Sequence, residues 1–404
     1  MTPFHRLAWS NLAAQSAEQV GLAAAPIVAV LALGAGAGAT GMLQTAQTLP
    51  FVLFAIPAGL LADRTSRRLV MTGAEALRVV SLLAVLVLAS LGGLTLPWLA
   101  ALGFVGACGT VAYSVAAPAL VPSLVPPALL AAANGRIELA RTIAYAGGPA
   151  LAGALIAFTG GAPAFGVAAA MSVGAVLMLA GLREPARPAK AAGHPLRDMR
   201  EGAAFVLGHR LLLPVMVTKI VFGASFFTLQ AVYVPYAVHR LGLSAAGVGA
   251  TLATYGVGMV AGALATGALL RALPFGVVIV LGPIAGFVAA LVMLLTLWAP
   301  SGILAGLSFF LIGAGPIVWV IVTGTLRQVV TPPALLGRVS AIDITAYGAR
   351  PVGAALGGFV GAVFGVEACL VVATLGFLVQ AFVIVTSPVL GLREQPAMVE
   401  SSSS

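Results

Sequence analysis

Charge is what this sequence has least of. Of 404 residues, 20 are Lys or Arg and 11 are Asp or Glu, 8% in all, where a soluble domain carries roughly 25%. That scarcity excludes a soluble globular fold, and it excludes a disordered chain, which needs charge and a lack of apolar residues. The two cysteines, Cys108 and Cys369, both lie in apolar runs; they exclude a disulfide framework and read as small packing residues. The four histidines (His5, His194, His209 and His239) fall in loops or at the edges of apolar runs. No His, Cys or carboxylate cluster has metal-site spacing. No glycine-rich loop ends in Lys and Ser or Thr, which argues against an ATP-driven pump. Neither an enzyme nor a resident cofactor or metal is expected.

What the sequence does have is apolar surface. Hydrophobic residues make up 61%, with 49 glycines and 25 prolines, both commoner in membrane helices than in soluble ones. A helix of about 20 apolar residues crosses a bilayer, and about 33 residues per crossing with short loops fits twelve helices into this length. The expected architecture is an all-α polytopic membrane protein. Its spans are placed near 7–33, 40–62, 69–91, 95–120, 133–158 and 162–181, then 211–238, 245–270, 274–297, 301–326, 338–363 and 367–388. The first apolar stretch contains Glu18 and runs too long for a cleavable signal, so it is expected to stay as a helix.

The formal charge of +9 does not point to nucleic acid, because the basic residues form no domain face. Arg6, Arg64, Arg67, Arg68, Arg271, Arg327 and Arg393 fall at the termini or after even-numbered spans. Arg183, Arg187, Lys190, Arg197, Arg200 and Arg210 fall in the central connection, and Arg136 and Arg338 at span starts; only Arg240 lies in a loop of the other side. By the positive-inside rule, both termini face the cytoplasm of a bacterial-type inner membrane. The organisation expected is a six-helix bundle over 1–182, a cytoplasmic linker over 183–210, a second six-helix bundle over 211–390 and a disordered tail over 391–404. The linker has room for a short amphipathic helix at 198–208.

Pro126-Pro127-Ala128-Leu129-Leu130 recurs intact as Pro332 to Leu336. At an offset of 202, Gly135-Arg136 then matches Gly337-Arg338, Ala144-Tyr145 matches Ala346-Tyr347, and Pro149 matches Pro351. Spans 5 and 11 are therefore counterparts in two repeated halves, an arrangement that places a binding site between halves that rock to expose it alternately.

Gly59-Leu60-Leu61-Ala62-Asp63-Arg64-Thr65-Ser66-Arg67-Arg68, between spans 2 and 3, resembles the signature loop of the major facilitator superfamily, with Ser66 where that pattern has glycine. The run from Pro118 through Gly153 and the segment Leu335 to Ser340 resemble the branch containing enterobactin exporters and macrolide or tetracycline efflux pumps. The resemblance covers essentially the whole chain. It implies a twelve-helix major facilitator fold, with spans 1, 4, 7 and 10 lining a central cavity. It also implies a cytoplasmic gate in which Asp63 meets the start of span 11 near Gly337-Arg338, Gly59 permits close helix contact, and Arg64, Arg67 and Arg68 hold neighbouring helix ends. The alternative is that these arginines only mark the cytoplasmic face. Gly148-Pro149 and Ala152-Gly153 partly match an antiporter motif of span 5, so the direction of transport stays open.

An ionisable residue inside a span is costly and is therefore a functional candidate. Glu18 lies about 16 Å into a span starting at Leu7, on a polar stripe with Asn11, Gln15 and Gln19. Lys219 lies at similar depth on span 7 and is a possible partner for Glu18. Glu75 with Arg78, and Glu138 with Arg141, are spaced i, i+3 and read as structural or gating pairs. Asp343 shares a helix face with Arg350 and is either a second proton site after Glu18 or a gate contact. Candidate substrate contacts are Asn11, Gln15, Glu18, Tyr113, Lys219, Phe226, Phe227, Gln230, Tyr233 and Trp319, aromatic surface with a few polar groups. The expected activity is proton-coupled antiport that exports a small amphiphilic organic compound, a drug or a siderophore-like metabolite. The partners expected are that substrate, protons and the lipid bilayer, with the protein a monomer. The alternatives are a facilitator or symporter importing a metabolite, a lipid-moving relative, or a membrane binding protein without transport.

Overall fold

A computed structural model describes residues 3–126, 129–182, 184, 195–332 and 335–396, with side chains at 63, 131, 195, 196, 198, 341 and 344 outside the description. The linker basic residues Arg183, Arg187 and Lys190 and the serine tail at 401–404 lie outside the described residues. The chain forms α1 (Pro3–Leu33), α2 (Ala37–Thr48), α3 (Pro50–Arg64), α4 (Arg67–Ser90), α5 (Leu96–Leu120), α6 (Leu130–Thr159) and α7 (Gly161–Ala180). After the linker come α8 (Pro195–Gly208), α9 (Leu212–His239), α10 (Ala245–Ala272), α11 (Phe275–Leu295), α12 (Gly302–Val330), α13 (Leu336–Thr345), α14 (Ala349–Val363) and α15 (Val366–Val385). Large apolar side chains such as Phe158, Ile303 and Leu264 point outward, as they do where the surrounding solvent is hydrocarbon.

Among the described residues, eleven helices are long and apolar enough to cross a membrane. Span 11, expected over 338–363, is not one helix. It breaks into α13, a 3₁₀ turn over Ala346–Gly348, and α14. Pro351 supplies the reason: its ring clashes with the carbonyl four residues back, that of Tyr347, whereas in the first turn of a new helix its missing N–H costs nothing. The second span is interrupted only at Leu49, where Pro50 opens α3. At the chain start, α1 begins at Pro3 and not near Leu7, which makes Glu18 the middle residue of its 31.

Helices α1 to α7 pack mainly on one another, as do α9 to α15. The two sets meet where α2 lies against α14 and α6 against α10. Both junctions are glycine contacts that run from the end that carries the 34–36 and 240–244 connections, the second reaching mid-helix, where Gly256 meets Ala146. A Cβ built on Gly358 lies 2.9 Å from the Cα of Gly41, and one on Gly249 lies 2.8 Å from that of Gly153. Eighteen residues make about five turns and return to the same helix face. At that offset, Gly135 of α6 has nothing within 4 Å of a built Cβ, and Gly267 of α10 meets only Arg271 of its own helix. On the same side, α3 leans on α5 and α13 on α8 rather than on each other. The two sets therefore touch at one end and part toward the other.

Candidate functional site

Between the two sets lies a cavity of about 440 Å³ lined by residues of both. Of the substrate contacts expected, Glu18, Lys219, Phe226, Phe227, Gln230, Tyr233 and Trp319 line it, and Gln19 joins them. Three do not. Asn11 is buried, its Nδ2 donating to the Ile137 carbonyl of α6 at 3.3 Å. Tyr113 is buried with its hydroxyl 3.5 Å from Ser10 Oγ. Gln15 is half-buried outside the cavity lining. The polar stripe of α1 thus divides, its lower half packing inside the first set and its centre facing the cavity.

Glu18 pairs with Arg78 of α4 at 3.5 Å, and the same guanidinium is bonded to Glu75, whose side chain is fully buried. Arg78 also donates to the Ala14 carbonyl at 3.2 Å and to Thr110 Oγ1 at 2.7 Å. Glu75 and Arg78 are therefore part of a buried triad with Glu18 and sit in the middle of the helices, not at a gate. The pairing of Glu18 with Lys219 is also corrected. Lys219 Nζ lies 2.5 Å from Asp343 Oδ2, and Arg327 Nη1 lies 2.6 Å from the same oxygen. The break at 346–348 separates Asp343 from Arg350, and the two do not pair. Arg350 instead lies over the rings of Tyr347 (4.1 Å), Phe51 (5.1 Å) and Phe227 (5.5 Å). Each set thus carries its own charge cluster at the cavity, two carboxylates on one guanidinium in the first and one half-buried carboxylate on two cations in the second.

The signature loop is built around a residue that its pattern does not include. Glu184, just after α7, accepts from Ser66 Oγ at 2.6 Å and from the backbone N–H groups of Arg67 (3.3 Å) and Arg68 (3.1 Å). A carboxylate therefore sits on the N-terminus of α4, where the helix dipole favours it. Ser66 is the N-cap, also accepting from Leu69 N, so the departure from glycine has a structural use. Arg67 and Arg68 donate to the carbonyls of Ala119 and Leu182, while Arg64 is exposed. The Asp63 side chain lies outside the description. Gly59 is not a close contact, since a Cβ there would meet only Val115, at 3.8 Å. Arg338, at the start of α13, is bonded to Glu201 of α8. The hydrogen bond from Arg197 and the charge of Arg338 hold the Glu201 carboxyl below the usual carboxylate range. Glu138 and Arg141 do pair, at 2.6 Å, and Arg141 reaches the cavity wall.

Several lining residues carry no signal in the sequence. Gln44 donates through Nε2 to Gln230 Oε1 across the junction at 3.4 Å, and nothing sets it apart from Thr45, Gln47 and Thr48 beside it. Phe51, Tyr145 and Tyr255 read as packing. Arg327 reads as a charge marking one face, and only its reach to Asp343 places it at the cavity.

A model of the family described as transmembrane secretion effector matches residues 7–402 of the chain. The chain is 28% identical over 311 residues to the enterobactin exporter of Escherichia coli O1:K1 / APEC, covering 75% of this chain and 71% of the relative. It is 29% identical over 265 residues to the enterobactin exporter of Shigella flexneri, covering 63% of this chain and 60% of that relative's length. Its fold is similar to the crystal structure of a bacterial homologue of the iron transporter ferroportin in the inward-facing state. The TM-score is 0.73 at 17% identity, covering 95% of this chain and 98% of that one.

Proposed function

This chain belongs to the transmembrane secretion effector family of major facilitator transporters, and from that membership we propose that it exports a small amphiphilic organic compound in exchange for protons. It is a multi-pass membrane protein. The basic connections support an orientation with both termini in the cytoplasm. In that orientation, the end at which the helix sets part is the cytoplasmic end. Alternating access then closes α3 against α13, and α6 against α10 near Gly135 and Gly267, while the glycine junctions at the other end open. The enterobactin exporters among its relatives favour outward movement of the substrate.

The observation that carries proton coupling is the sharing of Arg78. One guanidinium serves two carboxylates, and only Glu18 of the two faces the cavity. Any movement of α4 against α1 that lengthens the 3.5 Å pair leaves Glu18 without its ion-pair partner, in a site where an unpaired charge is expensive and takes a proton instead. Restoring the pair expels that proton. The test uses proteoliposomes with a pH dye in the lumen and a panel of amphiphilic compounds. At least one compound is expected to drive proton movement through the wild type and none through Glu18→Gln. Proton movement that persists in Glu18→Gln at normal expression refutes the assignment. Compound movement that ignores the proton gradient points to a facilitator.

A further inference from the structure

We infer that the cavity selects organic anions carrying an aromatic ring, with the Arg350 guanidinium as the anion ligand; the inference rests on the reading of this cavity as the substrate site. Charge carries the first part. The cavity wall holds Arg78, Arg141, Lys219, Arg327 and Arg350 against Glu18 and Asp343. Adding Glu75 and Glu138, which Arg78 and Arg141 hold, five cations face four carboxylates, an excess of one positive charge. Every one of those cations except Arg350 is in an ion pair. Among the described residues, Arg350 has neither an ion pair nor a hydrogen bond, and it lies over three rings.

An unpaired guanidinium within a membrane protein is expensive, and its planar fork of donors matches a carboxylate in two parallel hydrogen bonds. The rings set the second requirement. Phe51 belongs to the first helix set, Phe227 and Tyr347 to the second, so Arg350 sits on an aromatic wall shared by both. That wall continues from Phe227 through Phe226 to Tyr255 and Tyr145, with ring centroids 5.5, 5.6 and 5.9 Å apart in turn. A bound aromatic ring has faces to stack on while its acid group reaches Arg350. Because the wall spans both sets, such a ligand contacts groups that move relative to one another when the sets rock.

The test measures binding to the full-length protein in lipid nanodiscs, with 4-biphenylcarboxylate, its neutral carboxamide and 4-biphenylmethylamine as probes. The carboxylate is expected to bind at least about tenfold more tightly than the carboxamide, the margin a charge-assisted pair supplies, and the amine more weakly still. Arg350→Gln is expected to abolish the preference, and Arg350→Lys to keep part of it. Equal binding of carboxylate and carboxamide by the wild type, no carboxylate binding at millimolar concentration, or a preference intact in Arg350→Gln overturns the inference. If Arg350→Gln does not fold, the wild-type comparison decides alone. Anion selectivity in nanodiscs without proton-driven movement in proteoliposomes sinks the export reading and leaves this one standing. Proton-driven movement of the amine alone does the reverse.

Discussion

Arg78 is the residue on which the first helix set depends electrically. It pairs with Glu75, which is fully buried, and with Glu18, which faces the cavity, and it also donates to Ala14 O and Thr110 Oγ1. Removing one partner of a buried ion pair leaves an uncompensated charge, worth about 3–5 kcal/mol. Arg78→Ala is expected to lower the melting temperature in detergent more than Glu18→Gln does, and adding Glu75→Gln to Arg78→Ala to restore part of the loss. An unchanged melting temperature in Arg78→Ala contradicts the triad. Glu18 itself was legible in the sequence, because a carboxylate in the middle of an apolar run has few bland explanations. Its partner was not. Arg78 lies 60 residues away on another helix, and only packing decides that α4, not α9, presents its cation to α1. Lys219 looked equally suitable by depth and proved to belong to Asp343.

At the scale of elements, apolar runs located the helices within a few residues, and the linker helix expected at 198–208 appears as α8 at 195–208. The breaks beside Pro50 and Pro351 were not legible, since Pro26, Pro149, Pro283 and Pro316 lie inside helices that continue past them. A proline within a span marks a break only where neighbours fail to satisfy the backbone group it frees, and that depends on packing. The two breaks face each other, with Phe51 and Tyr347 6.3 Å apart, and beyond them α2 and α14 close through Gly41 and Gly358. A side chain at Gly358 has no room there. Gly358→Val, with Cys108 and Cys369 replaced by Ala, is expected to speed maleimide labelling of Thr40→Cys, which is buried at this junction; unchanged labelling argues against a seal. At the other end, α8 holds α13 through Glu201 and Arg338. The folded protein lowers the proton affinity of Glu201, so its contribution is present above the unfolded carboxyl range and lost as pH falls through the folded value. Because the pair is solvent-screened, the readout is local. Protection of the α8 amides, taken relative to their intrinsic exchange rate at each pH, is expected to fall in acid, and Glu201→Gln to show the same loss of protection at about pH 7; no difference between the two proteins at neutral pH contradicts the tie.

For the molecule as a whole, the scarcity of charge separates into two populations. Most of the described basic residues lie at one end of the helix bundle. The charges that line the cavity gather in two clusters, one per helix set, beside the Glu138–Arg141 pair and Arg350. The repeated segments at an offset of 202 made two equivalent halves legible, but not where they touch, because glycines are spread along the whole sequence and only the fold shows which ones meet. Rocking of the two sets about the cavity, with the closed and open ends exchanging, is measured by electron–electron distances between nitroxide pairs in liposomes. One pair sits at Gly135→Cys and Gly267→Cys, where added side chains meet no other helix, and the other at Gly36→Cys and Phe364→Cys, where Gly36 is open and Phe364 exposed. Under a proton gradient with a transported compound present, the first distance is expected to shorten as the second lengthens. Distances that stay fixed, or that change in the same direction, contradict it.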